Sequence, residues 1–247
     1  MVNTERTVEA LEQMNLNGMA EVYKALLTMP SHEQPSVHEF MARITEAEAQ
    51  NRLGRRTQMY LKLSGIRYDA VLESVQCSAS RNITRDQLLS LADCSFIPRA
   101  ENILITGPTG CGKSFLACAI GRQACIMGHK TAYLGMNRFI ERLSLAKVDG
   151  TYIKLLNQYE KIPLIILDDF GLAPMEHQVK LALLQLLEDR YGRRATIITS
   201  QLPVAKWYHY LNEPTIADAI MDRLSASAHR VDLKGESLRK KSMDKLC

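Results

Sequence analysis

The segment Gly107-Pro-Thr-Gly-Cys-Gly-Lys113-Ser114 combines glycines, a lysine and a hydroxyl at the spacing that holds phosphate. Glycines let the backbone fold tightly and turn its N–H groups inward onto an anion. The segment follows a short apolar run, Asn102-Ile-Leu-Ile-Thr106, and leads into a helical pattern. A helix N-terminus there adds positive potential. In such a loop Gly107, Pro108, Thr109, Gly110, Cys111 and Gly112 offer backbone, Lys113 reaches the β- and γ-phosphates, and Phe115 follows in the first helical turn. Ser114 is the expected Mg²⁺ ligand. The chemistry implied is binding of a nucleoside triphosphate, with ATP and Mg²⁺ as the expected ligands.

Leu164-Ile-Ile-Leu-Asp168-Asp169 supplies carboxylates at the end of a second apolar run. In open α/β sheets ligands bind at the carboxyl ends of strands. Asp168 is expected to hold Mg²⁺ through water, and Asp169 to orient or deprotonate the attacking water. An Asp-Asp pair alone marks a turn; the upstream loop is what gives it a chemical reading. The next apolar run ends in Thr199-Ser-Gln201. Gln201 fits best as a residue that senses the γ-phosphate, with Thr199 and Ser200 close behind and an ordinary polar strand end as the alternative. Arg223, within Asp218-Ala-Ile-Met-Asp222-Arg223, is either an arginine finger for a neighbouring subunit's ATP or half of an Asp–Arg surface pair. The chain lacks Asn-Lys-x-Asp, so guanine specificity is unsupported. Leu63-Ser-Gly-Ile lies upstream of the loop and lacks a second glycine, which excludes a transporter signature.

These residues need a scaffold. The 247-residue chain is 46% hydrophobic and 23% charged, an ordinary globular mixture. Short strands at 102–106, 131–134, 163–167, 195–199 and 229–233 alternate with helical patterns at 113–127, 137–146, 151–160, 178–191, 204–211 and 216–224. That alternation predicts an α/β fold whose five-stranded parallel sheet is covered by helices on both faces. Upstream, apolar residues recur at helical steps from Val8 to Leu27 and, after the capping box Ser36-Val-His-Glu39, from Phe40 to about Leu63. Thr84-Arg-Asp-Gln87 is a second capping box. The expected organisation is a helical N-terminal domain over 1–66, a connector and the start of the core over 67–100, and the core with a basic tail over 101–247. The N-terminal domain is expected to bind a partner.

No apolar stretch approaches the roughly 18–20 residues that span a bilayer, and the N-terminus has no signal pattern, so a cytoplasmic protein is expected. The six cysteines and six histidines show no metal spacing; reduced thiols are the expectation. A net charge of +4 permits nucleic-acid binding without establishing it.

Taken together, Asn102–Ser114, Leu167-Asp-Asp-Phe-Gly171, Ile198-Thr-Ser-Gln201, Asp222-Arg-Leu224 and Gly235-Glu-Ser-Leu-Arg239 resemble the DnaC/IstB group of AAA+ ATPases. The similarity is strongest to the IstB-like ATP-binding proteins of insertion sequences, and Leu16-Asn-Gly-Met-Ala20 extends it toward the N-terminus. The resemblance implies a transposition helper with a P-loop AAA+ core. Such a protein binds double-stranded DNA, forms a homo-oligomer with ATP sites at subunit interfaces, hydrolyses ATP and activates a cognate transposase. It also implies that 137–160 is a helical insert tracking DNA, with Arg138, Arg142, Lys147 and Lys154 as phosphate contacts; composition alone equally describes a charged amphipathic pair. A DnaC-like helicase loader is the alternative. A small-molecule kinase would need a lid and a substrate pocket, and the sequence shows neither. Two departures stand out. Cys111 occupies a loop position that is often Thr or Ala, and only residues 234–247 follow Leu233, too few for the C-terminal helical lid of many AAA+ proteins. Arg239 is the candidate to replace the lid arginine that contacts phosphate.

Overall fold

The computed structural model describes residues 2–238; Arg239 lies outside the described residues. The chain forms two compact units, one ending at Met59 and the other beginning at Tyr60.

The first unit is helical, with α1 (Val2–Gln13), α2 (Asn17–Leu27) and α3 (Val37–Ser64), the last continuing into the second unit. Asn15, at φ 58°, breaks the chain between α1 and α2. Gly18 sits where a Cβ would lie 2.4 Å from the Ala47 carbonyl oxygen, so only glycine lets α2 approach α3 this closely. Its N–H donates to Glu48 Oε2 at 2.9 Å, and Arg52 Nε donates to Glu48 Oε1 at 2.7 Å. At the start of α3 the Glu39 N–H donates to Ser36 Oγ at 3.3 Å.

The second unit holds a five-stranded sheet in the order β2-β3-β4-β1-β5, parallel throughout: β1 (Asn102–Thr106), β2 (Thr131–Gly135), β3 (Leu164–Phe170), β4 (Ala195–Ser200) and β5 (Ala228–Asp232). The inner strands β1, β3 and β4 read as largely apolar runs because both of their faces are buried, whereas β2 and β5 at the edges are only partly buried. Ile103, Ile105, Leu164 and Ile166 face a cluster built with α5 (Lys113–Ile126) and residues 70–97. Leu104, Ile165, Leu167 and Ile198 face the opposite cluster. That layer comprises α6 (Met136–Val148), α7 (Tyr152–Glu160), α8 (His177–Arg190), α9 (Trp207–Leu211) and α10 (Pro214–Ser225). Residues 65–100 are an integral part of this core. They contribute 3-10 turns at Leu72–Ser74 and Ala79–Arg81 and helix α4 (Arg85–Ala92). The Thr84 capping box closes in both directions, with Gln87 N–H to Thr84 Oγ1 at 3.1 Å and Thr84 N–H to Gln87 Oε1 at 3.0 Å.

One strand differs from the sequence pattern. The apolar run predicts a strand ending at Leu167, but β3 continues through the two aspartates to Phe170. The register slips between Leu167 and Phe170, and Asp169 takes φ 64°. The bulge turns the second aspartate out of the pleat while neighbouring strands still pair with the chain around it.

At the opposite end of the sheet Arg190 is buried and donates to the carbonyls of Tyr159 at 2.9 Å and Ile162 at 2.7 Å, and also to that of Ala195. Burial pulls its guanidinium down to about 9. Cys94, Cys111, Cys118 and Cys125 are buried free thiols; burial pushes Cys94 up to about 12, far from reactive range. No described helix is long and apolar enough to cross a membrane.

Candidate functional site

The glycine-rich loop joins the end of β1 to the N-terminus of α5. Gly107, Gly110 and Gly112 take φ 143°, 81° and 94°, the conformations that aim successive N–H groups into one concavity. The space is closed as well: a Cβ on Gly107 would lie 2.2 Å from the Leu233 carbonyl oxygen, and one on Gly110 would lie 2.1 Å from Ser237 Oγ. The chain after β5 thus lies against the loop, with the Leu238 N–H donating to the Gly110 carbonyl at 3.0 Å. The Cys111 side chain is buried away from the concavity, so this position offers only backbone. Lys113 is buried and its Nζ donates to the Pro108 carbonyl at 2.9 Å, laying the ammonium across the loop.

β3 delivers Asp168 to the same end of the sheet. Its carboxylate gathers hydroxyls from three elements: Ser114 Oγ donates to Oδ1 at 2.8 Å, Thr199 Oγ1 also donates to Oδ1, and Tyr133 OH donates to Oδ2. Burial first, and the carboxylate second, push the Tyr133 hydroxyl well above its ordinary pKa, so it stays a donor. Thr199 Oγ1 in turn accepts the Asp169 N–H at 3.1 Å. The set Ser114–Asp168 is all oxygen, as a hard cation requires. No group of three or more His, Cys, Asp or Glu could hold a metal among the described residues. Two protein oxygens fit Mg²⁺, which keeps waters and takes phosphate oxygens for the rest of its shell.

The three polar residues at the end of β4 have separate fates. Thr199 serves the aspartates, and Ser200 Oγ donates to the Phe170 carbonyl at 2.6 Å within the core. Gln201 reaches the loop, where its Oε1 accepts from Thr109 Oγ1 at 2.7 Å. A cavity of about 640 Å³ opens between these groups, lined by Gly110, Lys113, Ser114, Asp169 and Gln201. This volume lies within the range of small-molecule sites.

The other wall of that cavity comes from upstream: Arg67, Tyr68, Val75, Gln76 and Arg81. Sequence reasoning assigns none of them, because residues 67–83 lack periodicity. The apolar and aromatic members give this wall the lining that a base would meet. A second cavity of about 390 Å³ shares Arg67 and Asp169 and contains Tyr133, Arg138 and Asp168.

Arg138 therefore stands beside the aspartates, apart from the other basic residues of the 137–160 segment. Arg142 Nη1 donates to Tyr159 OH at 3.2 Å, Lys147 Nζ donates to Gln178 Oε1 at 3.2 Å and lies 5.4 Å from the Tyr152 ring centroid, and Lys154 is exposed. Arg223, on α10, lies at the end of the sheet opposite the phosphate loop. Asn102 at the start of β1 donates to the Arg223 carbonyl at 3.0 Å, whereas the phosphate loop leaves the other end of that strand, about 16 Å away at the rise of a β-strand. Its guanidinium pairs with Glu188 at 2.6 Å and Asp222 at 3.0 Å. It cannot reach the phosphate loop of this chain.

Comparison with known proteins identifies the family of the chain. The family model described as IstB-like ATP binding protein matches residues 9–245. The chain is 42% identical over 234 residues to the insertion sequence ATP-binding protein y4pL of Sinorhizobium fredii, covering 95% of this chain and 96% of that protein. It is 31% identical to the insertion sequence IS5376 ATP-binding protein of Geobacillus stearothermophilus, covering 95% and 94% respectively. Among solved structures, the DnaC helicase loader aligns with a TM-score of 0.58 at 18% identity, over 68% of this chain and 98% of that one. The replication initiator DnaA bound to AMPPCP and single-stranded DNA aligns with a TM-score of 0.59 at 19% identity, over 74% and 56%. At these identities the structures establish a shared AAA+ fold.

Proposed function

The chain belongs to the IstB-like ATP binding protein family of insertion sequences, and on that basis we propose that it is an ATP-hydrolysing helper of transposition that assembles on double-stranded DNA and activates or targets its element's transposase. The observation carrying the hydrolytic part is the Asp168 carboxylate, held by Ser114, Thr199 and Tyr133 beside the lysine-bearing loop. Loop N–H groups and Lys113 bind the phosphates and oppose the charge that develops on them. Ser114 and Asp168 would hold Mg²⁺, which would supply positive charge to the phosphates. Asp169, turned out of the strand by the bulge, accepts the proton of the attacking water or orients it. Gln201, tied to Thr109, reports on the terminal phosphate.

Arg223 would be the arginine finger for a neighbour's ATP, since it does not reach this chain's own loop; its Glu188 and Asp222 contacts fit the surface-pair alternative. In the assembly it exchanges its Glu188 and Asp222 contacts for the neighbour's phosphate. Arg138, Arg142, Lys147 and Lys154 would meet DNA phosphates. The helical N-terminal unit keeps Met14, Val37, Met41 and Met59 exposed, side chains that suit a protein partner such as the transposase. The test is light scattering of the protein with ATP and duplexes of increasing length. Mass should grow with duplex length, and a protein that stays monomeric with ATP and DNA refutes the assembly reading.

A further inference from the structure

We propose that Arg81, a residue upstream of the sheet, contacts the phosphate chain of the bound nucleotide; the inference rests on the reading of the 640 Å³ cavity as the nucleotide site.

The backbone places Arg81 firmly. It closes the 3-10 turn Ala79–Arg81, which ends at Asn82 with φ 55°, and the turn is clasped by an antiparallel bridge between Ser78 and Ile83. Two bonds fasten it to the chain at the end of β5: the Lys234 N–H donates to the Arg81 carbonyl at 3.0 Å, and Asn82 Nδ2 donates to the Asp232 carbonyl at 2.7 Å. β5 is itself paired with β1, the strand that feeds the phosphate loop, so the turn and the loop share one support.

From there the side chain lies on the loop. Its Nη2 donates to the Cys111 carbonyl, and a Cβ on Gly112 would be 3.2 Å from the same nitrogen. The guanidinium is therefore packed on the residue that opens the N–H cradle of α5, and Arg81 lines the cavity with Gly110, Gly112 and Lys113.

Its bonding is incomplete. Nε is buried with no acceptor, and no carboxylate pairs with Arg81 among the described residues. A guanidinium carries five N–H donors and a permanent charge. Arg81 is half-buried, and its covered Nε lacks the acceptor that a buried donor normally finds. Next to Arg81 the cavity is lined by loop N–H groups and Lys113, with Asp169 and Gln201 also in the lining, and a phosphorylated ligand on the loop would supply the anion. The α- and β-phosphates are the groups that the Gly112 end of such a loop cradles. An arginine there would bond them with charge assistance.

The competing role is bracing: Arg81 could simply hold the Cys111 carbonyl. Calorimetry with MgADP and with adenosine separates the two, using wild type, Arg81→Ala, Arg81→Gln and Arg81→Lys, each also melted without nucleotide. Glutamine still donates to a carbonyl but carries no charge. The phosphate contact predicts that Arg81→Ala and Arg81→Gln weaken MgADP by about 10- to 100-fold, the range of charge-assisted bonds. Adenosine binding changes less than about twofold, and Arg81→Lys recovers most of the loss. The proposal is overturned if Arg81→Gln binds MgADP within about twofold of wild type, or if adenosine and MgADP lose affinity equally. Failure of the wild-type protein to bind MgADP would instead remove the nucleotide-site reading, and this proposal with it.

Discussion

Replacing Thr199 by valine keeps the volume of a fully buried side chain and deletes one hydroxyl. That hydroxyl donates to Asp168 Oδ1 and accepts the Asp169 N–H at 3.1 Å. Two costs follow. The carboxylate loses a charge-assisted donor, worth about 1.5–3 kcal/mol, and the Asp169 N–H loses its acceptor at a cost of about 1 kcal/mol or more. The extra methyl contact of valine returns about 1 kcal/mol, leaving a net destabilisation of roughly 1–3 kcal/mol. The functional effect is larger. A cation in the site would take a lone pair of the Ser114 oxygen, while the Ser114 proton stays available to Asp168. Thr199 and Tyr133 orient the carboxylate alongside it. Groups that orient a metal-holding carboxylate are worth about 10- to 100-fold in metal affinity or activity. Asp169 also loses the bond that steadies its left-handed backbone, itself about 1–2 kcal/mol uphill for a non-glycine residue. The assay is ATP hydrolysis against Mg²⁺ concentration, with ATP binding measured separately in excess EDTA. Thr199→Val should raise the Mg²⁺ half-saturation about tenfold and lower kcat by a similar factor. Metal-free ATP binding should stay within about threefold. Wild-type hydrolysis and Mg²⁺ dependence in Thr199→Val would refute the assignment of Thr199 as the residue that sets both aspartates.

Lys113→Ala should abolish ATP binding in a filter or fluorescence assay, whereas Asp169→Asn should bind ATP normally and hydrolyse at least about 100-fold more slowly, the scale of a lost general base. Equal hydrolysis by Asp169→Asn and wild type would remove Asp169 from that role. Arg223→Ala and Lys113→Ala should each be inactive alone on DNA, yet a mixture should regain activity, because one variant offers an intact loop and the other an intact arginine. A mixture as inactive as its components would argue against completion in trans. Arg190→Met should lower stability by roughly 3 kcal/mol or more in urea denaturation, since the carbonyls of Tyr159, Ile162 and Ala195 lose their donor together.

What could be read from the sequence followed the range of the interactions involved. The loop at 107–114 was legible because its geometry depends on local residue types: glycines at positive φ, then a helix start. The inner strands β1, β3 and β4 were legible because two-sided burial writes an apolar run, while β2 and β5 carry it only in part. β3 was read too short because two aspartates look like a strand terminator. The pairing of Gly135 with Asp168 and of Ser200 with Phe170 carries the strand past them. Thr199 and Tyr133 came to Asp168 through the order β2-β3-β4, which no local pattern encodes. Arg190 looks like any basic residue in the last turn of a helix, yet tertiary packing buries it against backbone carbonyls. Arg239, the arginine that the resemblance points to downstream, lies outside the described residues. The structure places Arg81 on the loop from upstream, by way of a turn that only the pairing with the end of β5 explains.

The central claim is that this family fold hydrolyses ATP at sites completed between subunits gathered on DNA. Its most direct test is the steady-state rate of phosphate release by the wild-type protein, with Mg²⁺ and saturating ATP, in the absence and presence of a long duplex. The account predicts a slow basal rate that rises at least about tenfold with DNA, as an arginine supplied in trans adds its charge to the transition state, and that Arg223→Ala loses the increment. A rate unchanged by duplex DNA, or an increment that survives Arg223→Ala, would contradict it.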